Sequence, residues 1–285
     1  MSGVSRQLVF EKIAHLVLAL IAAIAVAPVI GIIIFLFIKG GPALTPEFLT
    51  SMPTNGMKAG GIFPAIVGTL YLVLGTIVFA VPVGTLAAVY LTEYATQGRL
   101  TRYIRLAIAN MAGVPSVVYG LFGLGLFVLL LQMGTSLLAG SLTLGLLVLP
   151  VVITAAEEAL LAVPQSFRQA SLALGATRWQ TIRRVVLPNA IPGIITGTVL
   201  AVGRAAGETA AIMFTVAAFF LPTLPDSPFS QAMALPYHLY TISTQVPGMP
   251  EEIKWGTALV LLLLVLSFTL TAAVVRARFR RKRRW

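Results

Sequence analysis

Residues 106–156 read LAIANMAGVPSVVYGLFGLGLFVLLLQMGTSLLAGSLTLGLLVLPVVITAA, without one Lys, Arg, Asp or Glu. About 20 apolar residues cross the roughly 30 Å hydrocarbon core of a bilayer as a helix. These residues therefore hold two spans and a turn, which the Gly134 to Ser141 region supplies. Uncharged runs of similar character separate Lys12 from Lys39, Lys58 from Glu93, and Lys254 from Arg276. Of 285 residues, 58% are hydrophobic and 10% charged, against roughly a quarter charged in a soluble domain. The chain reads as an all-α integral membrane protein. Strands of an outer-membrane barrel alternate in polarity, which these continuous runs do not, and disordered chains lack such apolar content.

Working outward, the first span falls at 13–38. Its uncharged run exceeds the roughly 7 to 15 residues of a signal-peptide core, so it reads as a retained span despite Ala25-Val26-Ala27. The second covers 62–91, interrupted by Pro64 and Pro82, and ends in the polar turn from Glu93 to Arg99. The last is 256–275. The region 185–225 is ambiguous because Arg204 and Glu208 interrupt an apolar stretch from Ala190 to Leu221. Either half alone would reach only about 18 Å as a helix. Read as one element it is long enough, provided it tilts, breaks or leaves the bilayer. That makes six spans. Positive charge tests the count, since Lys and Arg accumulate on the cytoplasmic side. With six spans, sixteen of the twenty basic residues fall on the face that holds both termini, the 92–105 loop and the 157–189 loop. Both termini are expected in the cytoplasm. The expected organisation is a cytoplasmic N-terminus at 1–12, a six-span domain at 13–275 with a cytoplasmic loop at 157–189, and a basic tail at 276–285 attracted to anionic lipid.

Several chemistries lack their parts. There is no Cys, and His15 and His238 are the two histidines, so no metal site is expected. His15 sits at the cytoplasmic end of the first span, an interfacial position. No glycine-rich phosphate loop with its Lys and no hydrolase signature occurs. If the chain transports actively, the energy comes from another chain, and no cofactor is expected in this one. The basic excess lies between spans rather than on a soluble face, which argues against nucleic acid. The proline-rich segment 222–254 suits an irregular ordered loop.

In the 157–189 loop, Leu172, Gly175, Trp179, Ile182 and Val186 recur at three- and four-residue intervals, the spacing of one helix face. An amphipathic connector lying on lipid has this character. A glycine in the stripe costs about 1 kcal/mol of helix relative to Ala, and instead marks a turn between two short helices. Here the chain resembles the membrane subunits of ATP-binding-cassette importers, whose loop reads E-A-A, three residues, G, nine residues, I-x-L-P. Gln169-Ala170-Ser171, Gly175 and Val185-Val186-Leu187-Pro188 match that spacing, with Gln for Glu, Ser for Ala and Val for Ile. The resemblance implies a type I, MetI-like permease fold. It also implies that Gln169, Ala170, Ser171, Gly175, Ala176, Thr177, Arg178, Leu187 and Pro188 belong to a segment that docks on the ATPase.

Arg204 and Glu208 lie near the middle of the fifth apolar element, where a charge costs roughly 2.5 to 3.5 kcal/mol and normally faces protein or a water-filled path. A mutual i,i+4 pair bracing two helices is one reading. On a continuous helix Gly197, Ala201, Arg204, Glu208, Ala211 and Thr215 share a face, and small residues there suit close packing or a narrow passage. An Arg fork on such a wall fits a tetrahedral oxyanion, which favours an anion over a sugar or cation. Ser116 and Tyr119, beside Pro115, are candidates to line the path, or else a cap and a packing residue.

The segment from Ala201 to Ala210 resembles the G-R-A-x-G-E-T-A segment of phosphate-importer permeases. Tyr90-Leu91-Thr92-Glu93-Tyr94-Ala95, Ala112-Gly113-Val114-Pro115-Ser116-Val117-Val118-Tyr119-Gly120 and Pro228-Phe229 before Ala234-Leu235-Pro236 are similar to the PstA-type subunit. The resemblance implies phosphate import through a path that includes Arg204, Glu208 and Thr209. It implies as partners a PstC-type permease, two PstB-type ATPase subunits and a PstS-type phosphate-binding protein, in a bacterial cytoplasmic membrane. A sulfate or molybdate permease, and an integral-membrane enzyme acting on a lipid phosphate, are the alternatives.

Overall fold

A computed structural model describes residues 2–96 and 98–281, with side chains for 10–96 and 98–278; the expected tail positions 282–285 lie outside the described residues. Helix α1, Ser2–Gly40, is followed by the one-turn α2, Pro46–Thr50, and a two-rung hairpin of β1, Pro53–Thr54, against β2, Ala59–Gly60. Then come α3, Phe63–Val89, α4, Arg99–Met111, α5, Ser116–Gly123, and α6, Leu137–Leu161. Two short helices, α7, Gln165–Ala173, and α8, Arg178–Thr181, precede α9, Leu187–Gly207. The chain closes with α10, Ala210–Met213, α11, Leu235–Thr244, and α12, Glu251–Arg281.

The long helices pack in succession, α3 on α6, α6 on α9, α9 on α12, and α12 on α1. Helix α6 is central: Leu144, Leu147, Val148, Val152, Ala156 and Leu160 are each 1% exposed or less. Those spacings of three and four keep one stripe turned inward. Buried hydroxyls at Thr69, Thr76 and Thr143 donate at 2.7 Å to the carbonyls of Ala65, Leu72 and Ala139, which removes the cost of an unpaired polar group in an apolar interior. Helix α1 stays peripheral, meeting α12 where Phe35 stands edge-on to Trp255 with ring centroids 5.1 Å apart.

Among the described residues five helices are long and apolar enough to cross a membrane, and the number rises to six if a bent pair, Arg99–Met111 with Ser116–Leu130, whose halves meet at 103°, counts as one broken crossing. The six-span reading requires that pair to make one crossing, and three boundaries move. The 92–105 segment is not a loop: α3 continues as a π-helical turn over Tyr90–Tyr94, and α4 begins at Arg99. The fifth element is not one helix across Ala190 to Leu221, because α9 ends at Gly207 and Glu208 is extended, with φ −74° and ψ 132°. The 222–254 segment is not wholly irregular, since it contains α11 with His238, Thr241 and Ile242 buried. Proline at the start of α11 is compatible with its first turn, so prolines spaced along a sequence do not exclude a short helix between them.

The two ends of the bundle differ. At one, Phe48, Met57, Ile62, Met233, Leu235, Ile242 and Met249 pack α2, the hairpin and α11 over the start of α3. At the other, Ala88, Val89, Leu160, Ile182, Val186 and Ala190 bind the end of α3 to α6 and to the chain after α8.

Candidate functional site

The break after α9 is the first candidate. Arg204 occupies the last turn of α9, where its charge complements the helix dipole, and its side chain is exposed on this chain. Glu208 turns away from the helical path, and its Oε1 accepts the Ala210 backbone N–H at 3.2 Å. Among the described residues the ion pairs are Arg105 with Glu157, Arg168 with Glu93, and Lys254 with Glu251. Arg204 and Glu208 are therefore not the i,i+4 pair of the bracing alternative, and the single face running from Gly197 to Thr215 stops at Arg204. The physical reason is the ψ of Glu208, which restarts the chain in a new direction and leaves its carboxylate to cap α10.

Helix α5 lies against this break. A Cβ added at Gly120 would stand 3.0 Å from both the Ala210 carbonyl oxygen and the Ala211 Cα, so the absent side chain is what lets the two segments touch. That contact brings up Tyr119, which is 7% exposed. Its hydroxyl donates to the Met111 carbonyl at 2.9 Å, and the Arg204 guanidinium acts on the phenol electrostatically. Tyr119 thus locks the α4–α5 elbow. Ser116 is half-buried in the first turn of α5, and Thr209 is half-buried at the break. Arg204, Glu208, Thr209 and Tyr119 gather at one place, with Ser116 one turn along. Irregular backbone at membrane depth is tolerated where protein or a water-filled cavity surrounds it, and a guanidinium presented beside it can take two oxygens of an anion at once.

The α7–α8 elbow is the second candidate. Gly175 adopts φ +80° with no atom within 4 Å of an added Cβ, so its role is conformational: the left-handed region is open to glycine and strained for β-branched residues. Helix α8 starts with a full capping box, Thr177 Oγ1 accepting the Gln180 N–H at 3.3 Å and Gln180 Oε1 accepting the Thr177 N–H at 2.8 Å. Ser171 and Thr181 hydroxyls share a 2.9 Å hydrogen bond across the elbow. The expected apolar stripe divides: Ile182 and Val186 are buried, while Leu172 is 49% and Trp179 50% exposed, and Leu174 beside the turn is 89% exposed. Gln169, Ala170, Thr177 and Arg178 are exposed too, and Ala176 is half-buried. The elbow therefore presents a group of exposed apolar side chains. Leu187 and Pro188 are half-buried in the first turn of α9, after a π-helical turn at Ile182–Val186. Pro188 lacks an N–H to donate, so it fits where the helical hydrogen-bond register changes.

Two contacts that anchor this elbow were not foreseen from sequence. Arg168, 8% exposed, is paired with Glu93, and the Arg178 guanidinium lies 5.1 Å over the Tyr94 ring. The signal was weak but present, since Glu93 and Tyr94 are polar residues at the end of an apolar run.

Residues 80–285 match the protein family described as binding-protein-dependent transport system inner membrane component. The chain is 35% identical over 275 residues, 92% of its length and 93% of the relative's, to the probable ABC transporter permease protein YqgI of Bacillus subtilis (strain 168). It is 37% identical over 266 residues, 92% of its length and 85% of the relative's, to the phosphate transport system permease protein PstA 1 of Mycobacterium tuberculosis (strain ATCC 25618 / H37Rv). In fold it is similar to a chain of the inward-facing MetNI methionine ABC transporter, with a TM-score of 0.61 at 18% identity over 76% of this chain and 97% of that one.

Proposed function

Because this chain belongs to the family of binding-protein-dependent transport system inner membrane components, we propose that it is the permease subunit of an ATP-driven importer of inorganic phosphate. The observation that carries the substrate is its 37% identity, across most of both chains, to a permease named for phosphate transport. The local chemistry agrees with that choice: Arg204 is presented at a helix break, not neutralised by Glu208, and an Arg fork suits a tetrahedral oxyanion. Sulfate or molybdate offers the same charge and shape to an Arg, so the relative's name, not the guanidinium, selects phosphate.

In this reading Arg204 is a transient contact for the anion and Thr209 and Ser116 add hydroxyl donors, while Tyr119 and Glu208 hold the backbone around them. A site inside a passage has to attract the ion without retaining it, and one exposed guanidinium does so better than a closed cage. A PstC-type permease supplies the facing half of the path, and a PstS-type binding protein delivers phosphate at the end bearing α2 and α11. Two PstB-type ATPase subunits, which carry the ATP and Mg, engage the α7–α8 elbow. Both termini then lie on the elbow side, in the cytoplasm. The test is reconstitution of the chain with these partners in liposomes. Phosphate-dependent ATP hydrolysis and uptake are expected, and preference for sulfate or molybdate would replace phosphate as the substrate.

A further inference from the structure

Helix α4 enters the reading above only through the Met111 carbonyl that Tyr119 holds, and its other surroundings point to a ligand of their own. It carries Arg99, Arg102 and Arg105 and no acidic residue, and none of its residues is buried. On a helix, Leu100, Tyr103, Ile104, Ala107, Ile108 and Met111 form one stripe, Arg102 and Arg105 lie on the other side, and Thr101 stands at the border. The apolar stripe is open, with Leu100 73% and Tyr103 67% exposed. Between the arginine face and the end of α3 is a cavity of about 710 Å³, lined among others by Thr92, Thr101, Arg102, Arg105, Leu106 and Leu161. One wall is built: Arg105, itself exposed, donates to the Leu91 carbonyl at 3.1 Å and lies 3.3 Å from the Glu157 carboxylate, whereas Arg102 is exposed at the cavity and belongs to none of the ion pairs among the described residues.

The 103° bend between α4 and α5 fixes the setting. If α5 runs along the membrane normal, α4 lies nearly in the membrane plane, its apolar stripe at acyl-chain level and its arginines at headgroup level. Interfacial helices have this division of faces. We propose that α4 is an interfacial anchor and that the cavity beside it holds the phosphate headgroup of an anionic phospholipid, with Arg102 as the charge contact and Leu106 and Leu161 against the first acyl carbons; the Thr92 and Thr101 hydroxyls, which donate to the Ala88 and Thr96 carbonyls at 2.8 Å, line its polar side. Charge complementarity selects an anionic leaflet, and continuity of the stripe with a membrane span selects lipid over a soluble partner.

The test uses the assembled transporter in nanodiscs of phosphatidylcholine with phosphatidylglycerol. Phosphatidylglycerol retained after detergent extraction is counted by native mass spectrometry. Arg102→Gln should lower the bound lipid about fivefold, the equivalent of about 1 kcal/mol for one basic residue near an anionic surface. Arg102→Lys, which keeps the charge, should retain most of it and shows that the helix has not collapsed. A fluorophore at Tyr103→Cys should be quenched by spin-labelled acyl chains and not by iodide. Unchanged lipid retention in Arg102→Gln would overturn the proposal. So would displacement of the lipid by millimolar inorganic phosphate, which would make this a free-anion site, and so would protection of the Tyr103→Cys probe from both quenchers, which would assign the stripe to a protein partner.

Discussion

Glu93 and Arg168 stand 75 positions apart in sequence and meet at 2.8 Å, where they tie the start of the α7–α8 elbow to the end of a membrane span. Arg168 Nε and Nη2 both donate to one carboxylate oxygen, at 3.2 and 2.8 Å. The remaining donors reach the carbonyls of Val163 at 2.6 Å and Leu160 at 2.8 Å, at the C-terminal end of α6. One side chain thus fixes α7 to both α3 and α6.

Removing one partner of such a pair leaves a charge buried and unpaired, a loss of about 3 to 5 kcal/mol. Arg168→Ala is therefore expected to lower the thermal stability of the assembled complex and to uncouple ATP hydrolysis from uptake. Arg168→Lys should recover little, since a single ammonium cannot span the carboxylate and two carbonyls in this geometry. Arg168→Lys with wild-type coupling would show that the charge alone suffices.

At Gly175, the positive φ rather than lack of space sets the outcome. Gly175→Val is expected to cost about 1 to 2 kcal/mol locally and to reduce ATPase docking while the spans still assemble. Gly175→Asn, which tolerates the left-handed region better, should retain more uptake than Val. Equal uptake by the two variants would remove the conformational argument.

Arg204→Gln should abolish phosphate uptake without affecting membrane insertion or co-purification with the ATPase, and Arg204→Lys should restore little. The charge swap Arg204→Glu with Glu208→Arg separates contact from brace. Because Glu208 caps Ala210 rather than pairing with Arg204, the swapped protein is expected to be inactive. Substantial uptake by it would restore the brace.

The orientation is open to labelling without background, since the chain has no native cysteine. A thiol at Ala277→Cys should resist an impermeant external reagent in intact cells and react once the membrane is opened. Labelling from outside would invert the topology.

His238 in α11 is held down to about 4 by burial, from an ordinary value of 6.5. Its Nδ1 has no hydrogen-bond partner among the described residues. The folded state keeps this ring neutral where the unfolded chain would protonate it. Stability is therefore full above pH 6.5 and falls as pH drops from 6.5 to about 4, by about 3 kcal/mol in all. His238→Gln should flatten that acid limb in thermal melts of the complex between pH 7 and 5. An unchanged limb would assign the acid sensitivity to other groups.

The membrane class, the positions of the long spans and the turn at Gly175 were legible in the sequence because each rests on a local or additive property. Uncharged length sets a span, and a glycine in an apolar stripe marks where a helix cannot continue smoothly. The Gln169 to Pro188 segment was legible for the same reason, as its spacing encodes a short helix, a turn and a helix. The relation between Arg204 and Glu208 was not, because the i,i+4 argument presumes an unbroken helix, and α5 closing on Ala210 through Gly120 depends on a neighbour about ninety residues away. The Glu93–Arg168 pair was hidden likewise: a charge at the end of a span reads as solvated until α6 and α7 are seen to enclose it. Sequence determined which segments enter the membrane, since transfer from water is a sum over residues. Only the tertiary structure decided which polar groups meet there, since a buried charge takes its partner from whatever the packing brings within about 3 Å.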